Sequence, residues 1–348
     1  MNTEEDILSN LDSVRAILMI FIVLYHSLLF WAGNWFTLLS NHSCVEVPTL
    51  ANVAFYLNSF HIYTFVFLSG YLFYYLYVEQ QKYQKFTSFV VKKAKRLLVP
   101  YIFVCLLWVI PFFVFFGGYY TDILHKFILG ESPEQLWFLL MLFGVFIVFY
   151  IVYQIQKKLT EKLKIKFPVL ILLLCFILPV ISVAIGKYIP NIYRIWSIGR
   201  FFPVFVLGFY TRQGCVYKQL YIDKISLCIY LVLQILLFIF SDYIPHTFSG
   251  ELLRFLVQQV YHLLGAFTIF HLLAYIIPNI FIKTLSKTSF GVYLFHQQII
   301  CLILFLTVPK LSPYLITLLC FIGSYTVSGI ITYLLLKTRY TRWIIGSK

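Results

Sequence analysis

Charge is what this chain has least of. Only 11% of its 348 residues are Asp, Glu, Lys or Arg, where an ordinary soluble domain carries about a quarter. Acidic residues are the scarcer kind, 13 against 27 Lys and Arg. The net charge of +14 would suit a nucleic-acid binder if it formed a patch, but the cations sit in short segments between apolar runs, so no nucleic-acid partner is expected. No C-x-x-C occurs. The seven cysteines (Cys44, Cys105, Cys175, Cys215, Cys228, Cys301 and Cys320) are odd in number and mostly inside apolar runs. There a thiol behaves as a small hydrophobe, and neither a disulfide framework nor a metal site is expected. With no G-x-x-x-x-G-K-[ST] and no strand-flanked G-x-G-x-x-G, ATP hydrolysis and dinucleotide binding lack support. The N-terminus, MNTEEDILSNLD, has neither the basic start nor the cleavage site of a secretory signal, so the first apolar run is expected to be retained.

What the chain has instead is apolar length. It is 61% hydrophobic and 20% aromatic, in blocks of about twenty residues, enough to cross a bilayer core about 30 Å thick. Ten such segments can be drawn: 13–31, 51–78, 97–117, 136–156, 167–186, 197–211, 225–242, 253–276, 290–307 and 313–336. With the N-terminus inside, Lys82, Lys85, Lys92, Lys93, Lys95 and Arg96 fall in the first inner loop, and five lysines from Lys157 to Lys166 in the second. Across all inner segments and the C-terminal tail twenty cations lie inside, against six outside (Lys126, Lys187, Arg194, Arg200, Arg254 and Lys310). By the positive-inside rule both termini are expected in the cytoplasm. The expectation is an all-α, polytopic membrane helix bundle of about ten transmembrane helices, a single membrane domain over 1–348, in the cytoplasmic (inner) membrane.

Ionisable groups inside such spans suggest function. Asp12, Arg15 and His26 share one helix face, because the eleven residues from Arg15 to His26 turn only about 20° past three full turns. His26 is then about 16 Å beyond Arg15, close to mid-membrane. A neutral imidazole there can act as a general base, given a neighbour to hold its tautomer; an Asp or Glu is expected in that role. The bland alternative is a histidine bonded to another helix for packing, with Asp12 and Arg15 an interfacial pair. In NSFHIYTFVFLSGYLFYYLY, His61 falls near the level of His26, so a two-histidine site competes with a core histidine. Gly70 suits close helix packing and Ser69 a bond back to its own helix, since no G-x-S-x-G surrounds it.

In KFTSFVVKKAKRLLVPY, Lys92, Lys93, Lys95 and Arg96 precede Pro100. They read either as a topology signal attracted to anionic lipid or as a cradle for a phosphorylated cofactor. Trp137 reads as an interfacial belt residue. Arg200 enters a span, as if lining a polar cavity. Glu251 and Arg254 read as a surface pair of little worth. His296, followed by two glutamines, makes a polar patch that favours a cavity-facing position.

Taken in order, these features resemble the acyltransferase-3 family of polytopic membrane acyltransferases, which commonly O-acetylate bacterial surface polysaccharides. The matching stretches are Arg15 and His26 with ten residues between them, FVFLSGYLF, the basic stretch ending in proline, Leu-Trp-Phe-Leu, RFFPVFVLGFY, and Tyr293-x-x-His296. Two positions depart from the pattern. Lys93-x-x-Arg96 stands where Arg-x-x-Arg is usual, and Gln135 where a histidine often precedes Leu-Trp-Phe. The resemblance implies transfer of an acyl group, acetyl above all, from cytoplasmic acyl-CoA to a hydroxyl of a surface glycan or lipid-linked sugar. His26 would carry the chemistry, with Arg15 on the cofactor side. Lys92, Lys93 and Arg96 would hold acetyl-CoA, and His61, Trp137, Arg200 and His296 would meet the acceptor; no metal is implied. No esterase-like domain follows the tenth span, so any second transferase is expected to be a separate protein. Self-association into a homo-oligomer is left open. Two rivals remain: a polysaccharide or lipid-linked-sugar transporter whose aromatic lining stacks sugar rings, and a non-catalytic scaffold of an export complex.

Overall fold

The computed structural model describes residues 10–33, 46–131, 134–164, 168–214 and 222–347. Cys44, Cys215, Lys166, Lys218 and the acidic start of the chain lie outside the described residues. Every regular element among them is helical. Helix α1 (Leu11–Leu29) runs on through a 3-10 turn at Phe30–Ala32. Helices α2 (Pro48–Asn58) and α3 (His61–Tyr74) follow, the latter extended by a π turn at Tyr75–Glu79. Helix α4 (Phe86–Val104) continues through a second π turn at Cys105–Val109 into Ile110–Phe115. The remainder are α5 (Tyr120–Ile128), α6 (Trp137–Leu163), α7 (Val169–Gly186), α8 (Ile195–Arg212), α9 (Lys224–Asp242), α10 (Phe248–Ala274), α11 (Ile280–Thr307) and α12 (Pro313–Lys337).

Nine helices among the described residues are long and apolar enough to cross a membrane. The second expected segment, 51–78, is two shorter helices, α2 and α3, broken at Ser59 and Phe60. A break inside a span frees backbone groups that must find partners, and neighbouring helices supply them. His262 on α10 donates from Nδ1 to the Ser59 carbonyl at 2.6 Å, and Gln234 on α9, fully buried, donates from Nε2 to Ser59 Oγ at 2.9 Å. Tyr56 Oη donates in turn to Gln234 Oε1 at 3.0 Å.

The third span also differs from its expected bounds. The helix begins at Phe86 rather than near residue 97, with Pro100 inside it, so Lys92 to Arg96 ride on a helix and not in a loop. The physical reason is that helix geometry does not stop where apolar sequence stops: Lys and Arg are good helix formers and extend a span beyond its hydrocarbon part.

The core is tightest where α3 crosses α8. A Cβ on Gly70 would overlap the Phe205 carbonyl oxygen, and one on Gly208 would overlap that of Phe67. These two glycines allow the backbones to touch, as the small residue at Gly70 suggested. Ser69 Oγ donates to the Phe65 carbonyl of its own helix at 2.9 Å. At one end of this crossing Arg212, on α8, makes a bidentate pair with Glu79 at 2.8 and 2.9 Å and reaches Tyr71 Oη at 3.0 Å. Helix α11 lies against both α1 and α12. By contrast α7 and α9 turn most of their apolar surface outward, as in Phe176 and Ile229. Such faces suit lipid, where no water competes for them.

The start of α1 and the C-terminal turn lie at the same end of the bundle. The turn at Arg342–Ile345 packs on α4, with Trp343 edge-on to Phe103 at 4.6 Å and Gly346 against the Arg96 backbone. Arg96 in turn is close enough to Arg15 for their charges to interact. At the same end Asp223 caps α9, accepting from the amides of Ile225 and Ser226, each at 3.0 Å, and from Ser226 Oγ at 2.7 Å. The Ser226 hydroxyl and then its amide hold the Asp223 carboxyl below the usual carboxylate range. At the opposite end Arg254 is more than a surface partner for Glu251, which it meets at 2.7 Å. It also donates to the carbonyls of Ser241, at 3.2 Å, and Ile244, closing off the end of α9.

Candidate active site

Helix α1 carries His26 well along the span Leu11–Ala32, about 22 Å from Leu11 and about 9 Å from Ala32 at the helical rise. That places the imidazole in the third of this helical span farthest from Leu11. The helix begins two residues ahead of the expected segment, with Leu11 and Asp12 already helical. Here a cavity of about 210 Å³ opens between α1, the α2–α3 break, the start of α6 and α11. Tyr25, His26, Asn58, His61, Gln135, Trp137, Tyr293 and Gln297 give it its polar and aromatic wall, and Ile22, Leu29, Ile62 and Phe138 the rest.

The hydrogen bonds of two histidines identify their tautomers. His296 Nδ1 lies 2.9 Å from both the Val292 and the Tyr293 carbonyl oxygens. Carbonyls only accept, so Nδ1 carries the proton and Nε2 is the basic nitrogen. That Nε2 lies 3.1 Å from His26 Nδ1, which is also 2.9 Å from the Ile22 carbonyl. His26 Nδ1 therefore donates, shared between the two, and its own Nε2 is the basic atom. Among the described residues, the group that holds the tautomer is a second imidazole rather than the expected carboxylate. The signal was in the sequence, in Tyr293-x-x-His296, but only the packing of α1 on α11 pairs the two rings.

This pairing corrects one further expectation: His296, fully buried, stands behind His26 instead of lining the cavity. His61 does line it. As the first residue of α3 it donates from Nδ1 to the Leu57 carbonyl across the break at 2.6 Å. The Tyr25 ring separates the two cavity histidines, at 4.8 Å from His26 and 4.7 Å from His61.

The opposite wall is held by amides. Gln135 is buried and donates from Nε2 to the Leu294 carbonyl at 2.8 Å and to Gln298 Oε1 at 3.0 Å. Its backbone N–H meets Gln297 Oε1 at 3.0 Å, and its carbonyl accepts from Tyr293 Oη. The residue that departs from the family's usual histidine thus ties the start of α6 to the polar patch of α11. Trp137, two residues on, borders the cavity and sits 5.9 Å from the Phe201 ring, so it is a wall residue.

At the end of the bundle where α1 begins, Arg15 pairs with Asp12 at 3.3 Å, and Asp12 accepts from Ser286 Oγ of α11 at 2.7 Å. Asp12 therefore ties Arg15 to α11. Lys92 and Arg96 are exposed. Lys93 is not on the open face with them. Its ammonium lies 3.5 Å from the Phe146 ring centre and within 6.0 Å of the Tyr83, Phe73 and Phe89 rings, a box that favours a cation through the ring quadrupoles. Arg200 is exposed near the start of α8, within charge range of Tyr63 and His262, and is not among the residues that border the cavity. Among the described residues no group of three His, Cys, Asp or Glu side chains could hold a metal ion.

The residues that sequence reasoning passed over are Gln234 and His262, which fasten the break beside His61. The signal was available, as polar side chains inside the apolar runs of α9 and α10, but nothing linear linked them to residue 59.

Neither the curated proteins nor the solved structures contain a match to this chain. Residues 8–333 do match a family described as an acyltransferase domain, of the acyltransferase-3 type. That match takes in the two-histidine dyad, the cavity and all but the end of the bundle: the chain belongs to the acyltransferase-3 family and is a multi-pass membrane acyltransferase.

Proposed function

We propose that this protein is an acyl-CoA-dependent O-acyltransferase that moves an acetyl group from cytoplasmic acetyl-CoA to a hydroxyl of a surface glycan or lipid-linked sugar. The observation that carries the reading is the His26–His296 dyad at the edge of a polar cavity far along the bundle from Arg15 and Arg96. His26 Nε2 takes the proton of the acceptor hydroxyl while its oxygen attacks the thioester carbonyl. The new C–O bond forms, the C–S bond breaks, and the departing sulfur receives the proton back from His26 as a free thiol. While His26 is protonated, the positive charge is shared through Nδ1 with His296, whose own N–H rests on two carbonyl dipoles. The Asn58 amide on the cavity wall can donate to the developing oxyanion.

Cations at the terminal end and chemistry at the other suit a donor with phosphates at one end, a thioester at the other and a long uncharged arm between. Arg15 and Arg96 are the proposed phosphate contacts, with Lys92 beside them. This orientation puts both chain ends in the cytoplasm and the cavity toward the outer face of the inner membrane. Mass analysis of surface glycan from cells with and without the protein tests the substrate assignment. A loss of acetyl mass from the glycan is expected on deletion; an unchanged acetylation pattern contradicts it.

A further inference from the structure

We infer that the acceptor is held through two hydroxyl groups on neighbouring carbons of one sugar ring, His61 gripping the one that is not acylated. The inference rests on the sugar-hydroxyl acceptor proposed above.

His61 is only 2% exposed, yet it borders the cavity. Its Nδ1 hydrogen is committed to the Leu57 carbonyl, which leaves Nε2 an acceptor, and Nε2 takes no hydrogen bond from any described residue. On the cavity wall that atom is open to a partner bound there. The partner it can take is an O–H or N–H donor. His26 presents the same polarity, because its Nδ1 also donates to a backbone carbonyl. The cavity therefore offers two imidazole acceptors, both packed on the Tyr25 ring, close enough for their charges to interact. Two acceptors so placed are matched by two O–H donors on one small rigid frame, and neighbouring hydroxyls of a sugar are such a frame. A carboxylate or phosphate is not, since it would bring acceptors to acceptors. The Trp137 ring on the same wall offers the flat apolar surface that a sugar ring's C–H face covers. His26 then acts on one hydroxyl as base, while His61 holds its neighbour and so sets which oxygen meets the thioester.

The test uses the full-length protein in lipid nanodiscs, labelled acetyl-CoA and a panel of octyl glycosides (gluco, galacto and N-acetylglucosamino) with their monodeoxy derivatives. On the best glycoside, removing the acylated hydroxyl should abolish transfer, and removing one neighbour should raise KM about tenfold, as expected for one lost hydrogen bond. His61→Asn, which can keep a donor toward Leu57 but has nothing at the Nε2 position, should raise KM by the same factor on the parent glycoside. It should change nothing on the neighbour-deoxy one. His61→Gln, which can return an acceptor near the Nε2 position, should restore most of the loss. An equal fall on every acceptor with His61→Asn and no rescue by His61→Gln would overturn the inference, as would a wild type indifferent to every neighbouring hydroxyl. Failure of the wild type to acetylate any glycoside would instead overturn the sugar-acceptor reading on which the inference rests.

Discussion

The Nε2 atom of His296 lies 3.1 Å from Nδ1 of His26, with both rings fixed further by backbone carbonyls of their own helices. The dyad joins α1 to α11, and it makes His296 a positioning residue for the basic nitrogen of His26. Replacing His296 by Ala should lower kcat about tenfold to a hundredfold, within the effect of a general base, and leave KM for acetyl-CoA unchanged. His296→Gln, with an amide oxygen near the Nε2 position, should recover part of the rate. Steady-state kinetics of the two variants check this; equal loss in both, with a raised KM, argues for a packing role alone.

The α3–α8 crossing depends on two positions without side chains. Gly70→Ala and Gly208→Ala each place a Cβ on a backbone oxygen of the other helix, and should destabilise the protein by about 1 to 3 kcal/mol, the ordinary cost of overpacking. Gly329→Ala, where a Cβ meets nothing within 4 Å, is the control and should melt no lower than wild type. Thermal unfolding in a fixed detergent reads all three.

Gln234 and His262 hold the break that presents His61. Gln234→Leu removes its bonds with Ser59 and Tyr56, and His262→Phe removes the donor to the Ser59 carbonyl. Each should cost about 1 to 2 kcal/mol, as for interhelical hydrogen bonds in membranes. Both should raise hydrogen exchange at residues 59–61 ahead of global unfolding. Unchanged exchange there would mean that the break is held by other contacts.

How much of this was readable from the chain differs by scale. The apolar blocks marked nine spans and the tenth as a long segment, because length and composition decide what crosses a membrane. The break at Ser59 was not visible: it is stabilised by side chains on α9 and α10, far away in sequence. His26 and Arg15 stood out because ionisable groups are rare in spans, and helical periodicity placed them on one face. Which imidazole backs His26, and where Lys93 points, depend on helix packing, and no spacing along one helix carries that. Arg200 drew attention for its charge but remains exposed at the start of α8.

The basic stretch of α4 divides on the same grounds. Arg96 is exposed within charge range of Arg15, whereas Lys93 is enclosed by aromatic rings. Arg96→Ala should weaken CoA binding about fivefold to tenfold, a little over 1 kcal/mol, and more at low salt. Lys93→Met should leave CoA affinity near wild type, since its ammonium faces rings. A calorimetric titration with CoA separates them, and the reverse ranking would move the phosphate contact from Arg96 to Lys93.

The proposed mechanism makes His26 the base of an acetyl transfer from acetyl-CoA to a sugar hydroxyl. Its most direct measurement is transfer of labelled acetyl to an octyl glycoside by purified protein in nanodiscs, wild type against His26→Ala. Transfer by the wild type is expected, with a loss of about 10² to 10⁴-fold in the variant and with CoA affinity and melting temperature retained. Transfer at the wild-type rate by His26→Ala would contradict it.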